Sequence, residues 1–393
     1  MKILFLGTMF SPRSLEEAYK ASKCGVQMAP HLFQDRLFEG LKADENTSVT
    51  VFNVPPVGSF PMNYKKLYIH GHKWEENEQV GYLNIPVLKW KIQRRKLLRK
   101  VGKWIEAQPA NEKCCILAYC LYEPFLDVLV HMKKKYPYVH TALIQTDCVP
   151  GRNDMEQYMT AEAKRRGDRA VEKAKTIDSF VLLSQPLTEV LEVGDRPYVI
   201  TECICDPKQP MSKQKAKSEN IFLYSGTTEK VYGICDVVDA IKELPLAQLW
   251  ICGAGNSDDY IRETAKTYPN IRHFGYLSQT ELADLRDKCD FLINPRRPTG
   301  TYTKYSFPSK TAEYMLSGKP AVMYKLEGIP DEYDAYLHYL TADNAAGIKA
   351  ELQAVMNADY EELLQKAEEA RAFMLENKNA AAQAKKILTM LER

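Results

Sequence analysis

Strand-like and helical runs alternate along almost the whole chain, break off once, and start again. The first series places strands near residues 2–7, 48–54, 114–119, 139–145, 178–183 and 197–204, and helices near 31–43, 89–107, 122–136 and 155–175. Apolar runs of strand length separated by helical runs imply crossover connections, hence a parallel sheet covered by helices. Residues 206–218 hold four lysines, two prolines and Met211 as the only sizeable apolar side chain, the composition of a linker. The second series places strands near 220–225, 247–252, 271–274, 290–293 and 320–324, with helices near 233–243, 257–267, 279–287 and 309–317. Residues 343–391 read as mostly helical. At 393 residues the chain exceeds one ordinary core, so two α/β units are expected. They span residues 1–205 and 219–375, and the terminal helix 376–393 is free to return to the first.

Hydrophobic residues make up 45% and charged residues 26%, and the formal net charge is +2. Such a balance describes a globular protein and argues against nucleic acid as a partner. Ten cysteines include the adjacent Cys114-Cys115 and the alternating Cys203 and Cys205, without the spacing of a metal site. Buried reduced thiols are expected, and with them a cytoplasmic setting. The apolar run after Met1 is too short for a signal peptide and reads as a first strand. Long loops are expected at 8–30 and 55–86. Their aromatics (Phe10, Phe60, Tyr64, Tyr68, Trp74, Tyr82) either contact a ligand or pin the loops down.

The run Ser306 to Val322 reads as loop, short helix, stop and strand. Ser309 suits a helix N-cap, Gly318 stands where a left-handed terminal residue belongs, and Pro320 blocks continuation. Lys310 and Glu313 are thereby presented at the first turn of a helix aimed at the end of a parallel sheet. Free N–H groups and the helix dipole favour phosphates there.

These residues resemble the nucleotide-sugar site of glycosyltransferase family 4, in which a glutamate before a small-Gly-x-Pro-Val turn closes the donor pocket. Glu313, Gly318, Pro320 and Val322 match that spacing, and Phe307-Pro308-Ser309-Lys310 matches a variant common among transferases that build bacterial surface polysaccharides. Tyr305 replaces the family's frequent second glutamate. The resemblance covers residues 219–330 well and the N-terminal half weakly. It implies the GT-B fold, two Rossmann-like domains with a ligand cleft between them. It also implies a retaining, metal-independent transfer from a nucleoside-diphosphate sugar, most often a UDP-sugar, to a glycan or polyprenyl-linked acceptor. No cofactor is expected beyond this donor.

Under that resemblance Glu313 binds the ribose hydroxyls, while Lys310 and the amides around Ser309 meet the phosphates. Gly226 and Thr227 follow the first strand of the second unit, with Lys230 set to pair with the diphosphate; the family's usual arginine is Thr227 here. Gly253 and Gly255 either form a tight turn or make room for the donor, and Tyr276 either packs or lines the base pocket. Arg296 and Arg297 end another strand and would assist with phosphate or sugar. In the first unit Asp147 either orients the acceptor hydroxyl or caps its own turn, with Thr146 in place of a family histidine. Tyr119, Glu123, His31 and Gln34 are further acceptor-side candidates. Asp147, Lys230 and Glu313 are the catalytic set.

Lys89 to Lys103 contains eight basic residues and no acid, interleaved with apolar residues at helical spacing. It reads as a sheet-covering helix whose outer face could dock on an anionic bilayer. Two other functions stay open: a scaffolding subunit, given Tyr305 and Thr227, or a nucleotide-sugar epimerase. His70, His72, His131 and His140 show no arrangement that favours the latter.

Overall fold

A computed structural model describes residues 1–109, 111–152, 160–217 and 219–393. The chain divides into two compact units, Met1–Ile204 with Asn379–Arg393, and Cys205–Lys378. Part of the helix expected at 155–175, and Ser218 of the linker, lie outside the described residues.

The strands of unit 1 are β1 (Lys2–Gly7), β2 (Ser48–Asn53), β3 (Tyr68–Ile69), β4 (His72–Trp74), β5 (Asn77–Gln79), β6 (Tyr82–Leu83), β7 (Cys114–Tyr119), β8 (His140–Gln145), β9 (Ser179–Leu182) and β10 (Tyr198–Ile200). Eight of them form one sheet in the order β10-β9-β8-β7-β1-β2-β5-β4. All pairs are parallel except the edge pair β4–β5. Both faces of β1 and β7 are buried, which is why these strands read as continuous apolar runs rather than alternating ones.

The sheet is covered by α1 (Pro12–Ala21), α2 (Met28–Lys42), α3 (Leu88–Glu106), α4 (Glu123–Lys135), α5 (Ala161–Ala174) and the short α6 (Leu187–Val190). The expected loop 8–30 therefore contains a helix. Ser11 caps it by accepting the N–H of Ser14, and Pro12 fits the first helical position, where its missing N–H costs nothing. The expected loop 55–86 holds the short strands β3 to β6.

Unit 2 carries β11 (Ile221–Ser225), β12 (Gln248–Cys252), β13 (Ile271–Gly275), β14 (Phe291–Asn294), β15 (Ala321–Tyr324) and β16 (His338–Leu340) in one parallel sheet, order β13-β12-β11-β14-β15-β16. Its helices are α7 (Ile234–Ile241), α8 (Asp258–Thr267), α9 (Gln279–Lys288), α10 (Ser309–Ser317), α11 (Ala345–Asn357) and α12 (Tyr360–Asn377). The order grows outward in both directions from the adjacent strands β11 and β14. That reversal is the doubly wound plan, and it opens a crevice at the carboxyl ends of these two strands. Phe222 and Phe291 stack across the pair at 4.7 Å.

Residues 206–217 run along unit 2. The Ser212 amide donates to the Ser317 carbonyl at 2.9 Å and the Gln214 side chain donates to the Gly318 carbonyl at 2.6 Å. The terminal helix α13 (Ala380–Glu392) returns to unit 1, where Ala384, Ile387 and Leu391 enter the core with Ile3, Phe5, Leu37 and Leu41. Gly40 on α2 is what admits it: a β-carbon there would stand 2.2 Å from the Ala380 carbonyl oxygen.

Candidate active site

Helix α10 is placed by its own middle. Tyr314 is buried between β11 and β14, its hydroxyl donating to the Ile293 carbonyl at 3.2 Å while the Ser225 amide donates to it at 3.5 Å. Burial pushes this phenol upward, so it stays protonated and a donor. One turn earlier the helix opens towards the carboxyl ends of the strands. Gly318 closes the other end at φ +71°, as the sequence implies. The start differs from expectation. Pro308 occupies the N-cap, no side chain caps the helix, and Ser309 is the first helical residue. A proline cap has no hydroxyl to bond the first amides, so the mouth of α10 remains suited to an anion.

Glu313 lies in the second turn of α10 rather than the first, since the helix starts at Ser309, and Lys310 of the first turn holds its carboxylate. One carboxylate oxygen lies 2.8 Å from Lys310 Nζ and the other 3.3 Å from Arg286 Nη2 on α9. The pair is three-quarters buried on the glutamate side, at 25% exposure, which fixes its direction better than a surface ion pair would be fixed. Lys310 also acts on Cys252 at the end of β12: burial pushes that thiol up to about 11, against the pull of the lysine charge. The lysine thus sits beside the neighbouring strand end.

The loops after β11 and β12 lock onto each other. The Gly226 amide donates to the Cys252 carbonyl at 2.9 Å, and the Thr228 amide to the Ala254 carbonyl at 3.2 Å. Gly253 has φ +135°, and a β-carbon there would stand 1.8 Å from the Gly226 oxygen; at Gly255 it would meet the Thr228 carbonyl carbon at 2.6 Å. Close packing of loop on loop is therefore a sufficient reason for both glycines. Asp258, at the start of α8, ties the two loops by accepting from the Thr228 hydroxyl and, at 3.1 Å, from the Gly255 amide. Asp258 is a residue of this region to which the sequence analysis gave no role. The available signal was an acid at a helix start directly after a Gly-x-Gly turn. Asp259 beside it is almost fully exposed.

Lys230 begins a short 3-10 turn after this loop, its amide donating to the Asn256 side chain at 2.8 Å and its side chain exposed. Thr227 is exposed and its carbonyl accepts from the Tyr224 hydroxyl at 2.7 Å. Arg296 follows β14 and lies over the rings of Tyr232 and Tyr302, at 5.3 and 5.0 Å. Its Nε is buried with no hydrogen-bond partner among the described residues. Arg297 turns away to Asp236 at 3.2 Å. Tyr276 stands 89% exposed past the end of β13. The Phe307 ring is buried against Tyr333, so it anchors the approach to α10 from below.

In unit 1 the candidates are occupied by the protein itself. His31 accepts the Phe10 amide at 3.4 Å, and Gln34 binds the amide and carbonyl of Thr8. Burial lowers the His31 pKa below its ordinary value. Tyr119 meets the Thr146 hydroxyl at 2.8 Å. Glu123 opens α4, 3.9 Å from Lys173. Asp147 is exposed, and one of its carboxylate oxygens accepts the amide of the next residue, Cys148, at 2.7 Å. Of the loop aromatics, Phe10, Tyr64 and Tyr82 are buried and pin their segments, whereas Tyr68 is exposed.

Residues 206–372 match the family model described as glycosyl transferases group 1. The match lies within unit 2 and takes in less than half of the chain. No curated protein matches the chain by sequence. Solved structures with the same GT-B fold include the sucrose-phosphate synthase of Thermosynechococcus elongatus, at 13% identity and TM-score 0.64, covering 100% of this chain and 98% of that one. A structure named for trehalose-6-phosphate from E. coli, bound with UDP-2-fluoro glucose, aligns at 8% identity and TM-score 0.62, covering 100% and 99%. The Anabaena HepE protein in complex with UDP aligns at 14% identity and TM-score 0.58 over 100% of both chains. The chain therefore has two Rossmann-like domains, with the C-terminal helix belonging to the first.

Proposed function

We infer that this glycosyltransferase moves a sugar, with retention of configuration and without a metal ion, from a UDP-sugar bound on unit 2 to a glycan or polyprenyl-linked acceptor bound on unit 1. The observation that carries the reading is Glu313, held by Arg286 and Lys310 in the second turn of α10, behind its uncapped mouth. Its carboxylate is set to accept from the ribose hydroxyls. Lys310, Lys230 and the first amides of α10, at Ser309 and after Pro308, would face the diphosphate. These cations and the helix dipole oppose the charge that develops as the leaving group departs, a role a metal fills elsewhere. Arg296 adds a guanidinium at the next strand end. Gly226, Thr227, Gly253 and Gly255 would bring backbone close to the donor, and Tyr276 would cover the base. Phe307 contributes by anchoring the helix.

The bond between the sugar's anomeric carbon and the diphosphate oxygen breaks while the acceptor oxygen bonds to that carbon on the same face. The acceptor proton passes to the departing phosphate oxygen. Asp147 would orient the acceptor hydroxyl. The choice of UDP draws on the HepE and E. coli structures, whose ligands are UDP and UDP-2-fluoro glucose. The wider role is bacterial surface-polysaccharide synthesis at the cytoplasmic side of the membrane. Cys114, Cys115, Cys252 and Cys289 are buried, as reduced thiols in a reducing compartment would be. No helix among the described residues is long and apolar enough to cross a membrane. Reversible contact with an anionic bilayer would use the exposed row Lys91, Arg95, Arg99 and Lys103 on α3, each side chain contributing about 1 kcal/mol.

Incubation with a panel of nucleotide sugars tests the reading. Slow release of UDP from one of them is expected. An isomerised sugar would instead identify an epimerase, and binding without turnover a scaffold.

A further inference from the structure

The basic helix α3 does more than cover the sheet. Between it and the edge strand β4 lies a groove of about 620 Å³. Five cations line it, Lys73 from β4 and Lys96, Arg99, Lys100 and Lys103 from α3, against the single carboxylate of Glu78. Two of the five are engaged. Lys100 pairs with Glu78 at 2.7 Å, and Lys96 donates to the Gly81 carbonyl at 2.6 Å. Lys73, Arg99 and Lys103 are exposed and have no ion-pair partner among the described residues. On α3 the like charges stand three and four residues apart, a spacing that destabilises an isolated helix. A surface that holds such repulsion is suited to a ligand that relieves it.

The groove also has an address. His72, next to Lys73, has its Nε2 2.8 Å from the Ser11 hydroxyl. Ser11 opens α1 just beyond the carboxyl end of β1, the edge at which open α/β sheets bind ligands. One end of the basic groove therefore reaches the edge where the acceptor would present its hydroxyl.

We propose that this groove binds a flexible polyanionic chain, an acceptor carrying repeated phosphate, sulfate or carboxylate groups, and feeds it to the carboxyl edge of unit 1. Cations on both walls of a concave site suit a strand that enters it. Arg99 and Lys103 also belong to the outward row with Lys91 and Arg95, whereas Lys73 stands on the opposite wall of the groove. Naming the bound chain an acceptor rests on the transfer reading above; the binding itself does not.

The test uses the full-length chain with fluorescently labelled inorganic polyphosphate and, separately, phosphatidylglycerol vesicles. The groove variant Lys73→Gln/Arg99→Gln/Lys103→Gln should weaken polyphosphate binding about tenfold or more, whereas Lys91→Gln/Arg95→Gln should change it less than about threefold. Binding should fall with added salt, as screening requires. Thermal melting checks that each variant is folded, and single substitutions replace any that is not. Unchanged polyphosphate affinity in the groove variant would overturn the proposal. So would vesicle binding that both variants weaken equally while polyphosphate fails to bind, which would assign the face to a bilayer. UDP-glucose binding is measured independently on the unaltered chain. Its absence alongside retained polyphosphate binding would sink the transfer reading and leave the groove standing.

Discussion

Glu313 owes its value to two neighbours, one local and one distant. Lys310 is three residues away on the same helix, so their pairing is written in the spacing; Arg286 comes from α9, and only the fold supplies it. Replacing Glu313 with Gln keeps the shape and removes the charge. Hydrogen bonds to a charged group are worth about 1.5–3 kcal/mol, so UDP-sugar affinity should drop by about 10- to 100-fold in calorimetry, with little loss of thermal stability. Histidine burial gives a prediction of another kind. Burial, and secondarily the Lys366 charge, lower the His338 pKa to about 4, and burial also lowers those of His31 and His140. A depressed histidine is neutral in the fold and takes up a proton on unfolding. Stability should therefore be whole above the unfolded value near 6.5 and be lost as pH falls from there towards about 4. Urea midpoints measured between about pH 7 and 4 should show this slope, and His338→Gln should flatten it.

Elements carry the site as rigid pieces. Strands β11 and β12 end in loops that touch backbone to backbone, and Gly253 is the point of contact. Gly253→Ala puts a β-carbon into a carbonyl oxygen at a φ of +135°. The loops must separate, so both donor binding and melting temperature should fall, by several degrees in the second case. Tyr314→Phe would leave the Ile293 carbonyl without its donor in a buried place. A cost of about 1–3 kcal/mol is expected in chemical denaturation, together with weaker UDP-sugar binding because α10 loses its anchor. The helix was legible from Gly318 and Pro320, yet its first residue was misjudged. Ser309 has the side chain of a cap, but the backbone turns helical one residue earlier, after Pro308. Similarly, Ser11-Pro12 is a helix start that the length of the surrounding polar segment obscured.

At the scale of the molecule, the C-terminal segment belongs to the first unit although it follows the second. Ile387 is fully buried in the unit 1 core, so Ile387→Ala should cost about 2–5 kcal/mol in the urea unfolding of that unit. The polar stretch after Ile204 shows the opposite ambiguity. Its lysines and prolines mark it as connecting chain, and its composition holds no sign that Ser212 and Gln214 bond to the end of α10.

Local pattern was enough for the two α/β units, the parallel sheets and the α10 turn. These follow from periodicity and from the stereochemistry of glycine and proline, which act over a few residues. The pairing of Glu313 with Arg286, the Asp258 bridge to Thr228, the Tyr232 ring under Arg296 and the occupied states of His31 and Gln34 depend on chain segments far apart in sequence. Only the tertiary structure could decide them, because hydrogen bonds and burial form between surfaces that one-dimensional spacing does not bring together.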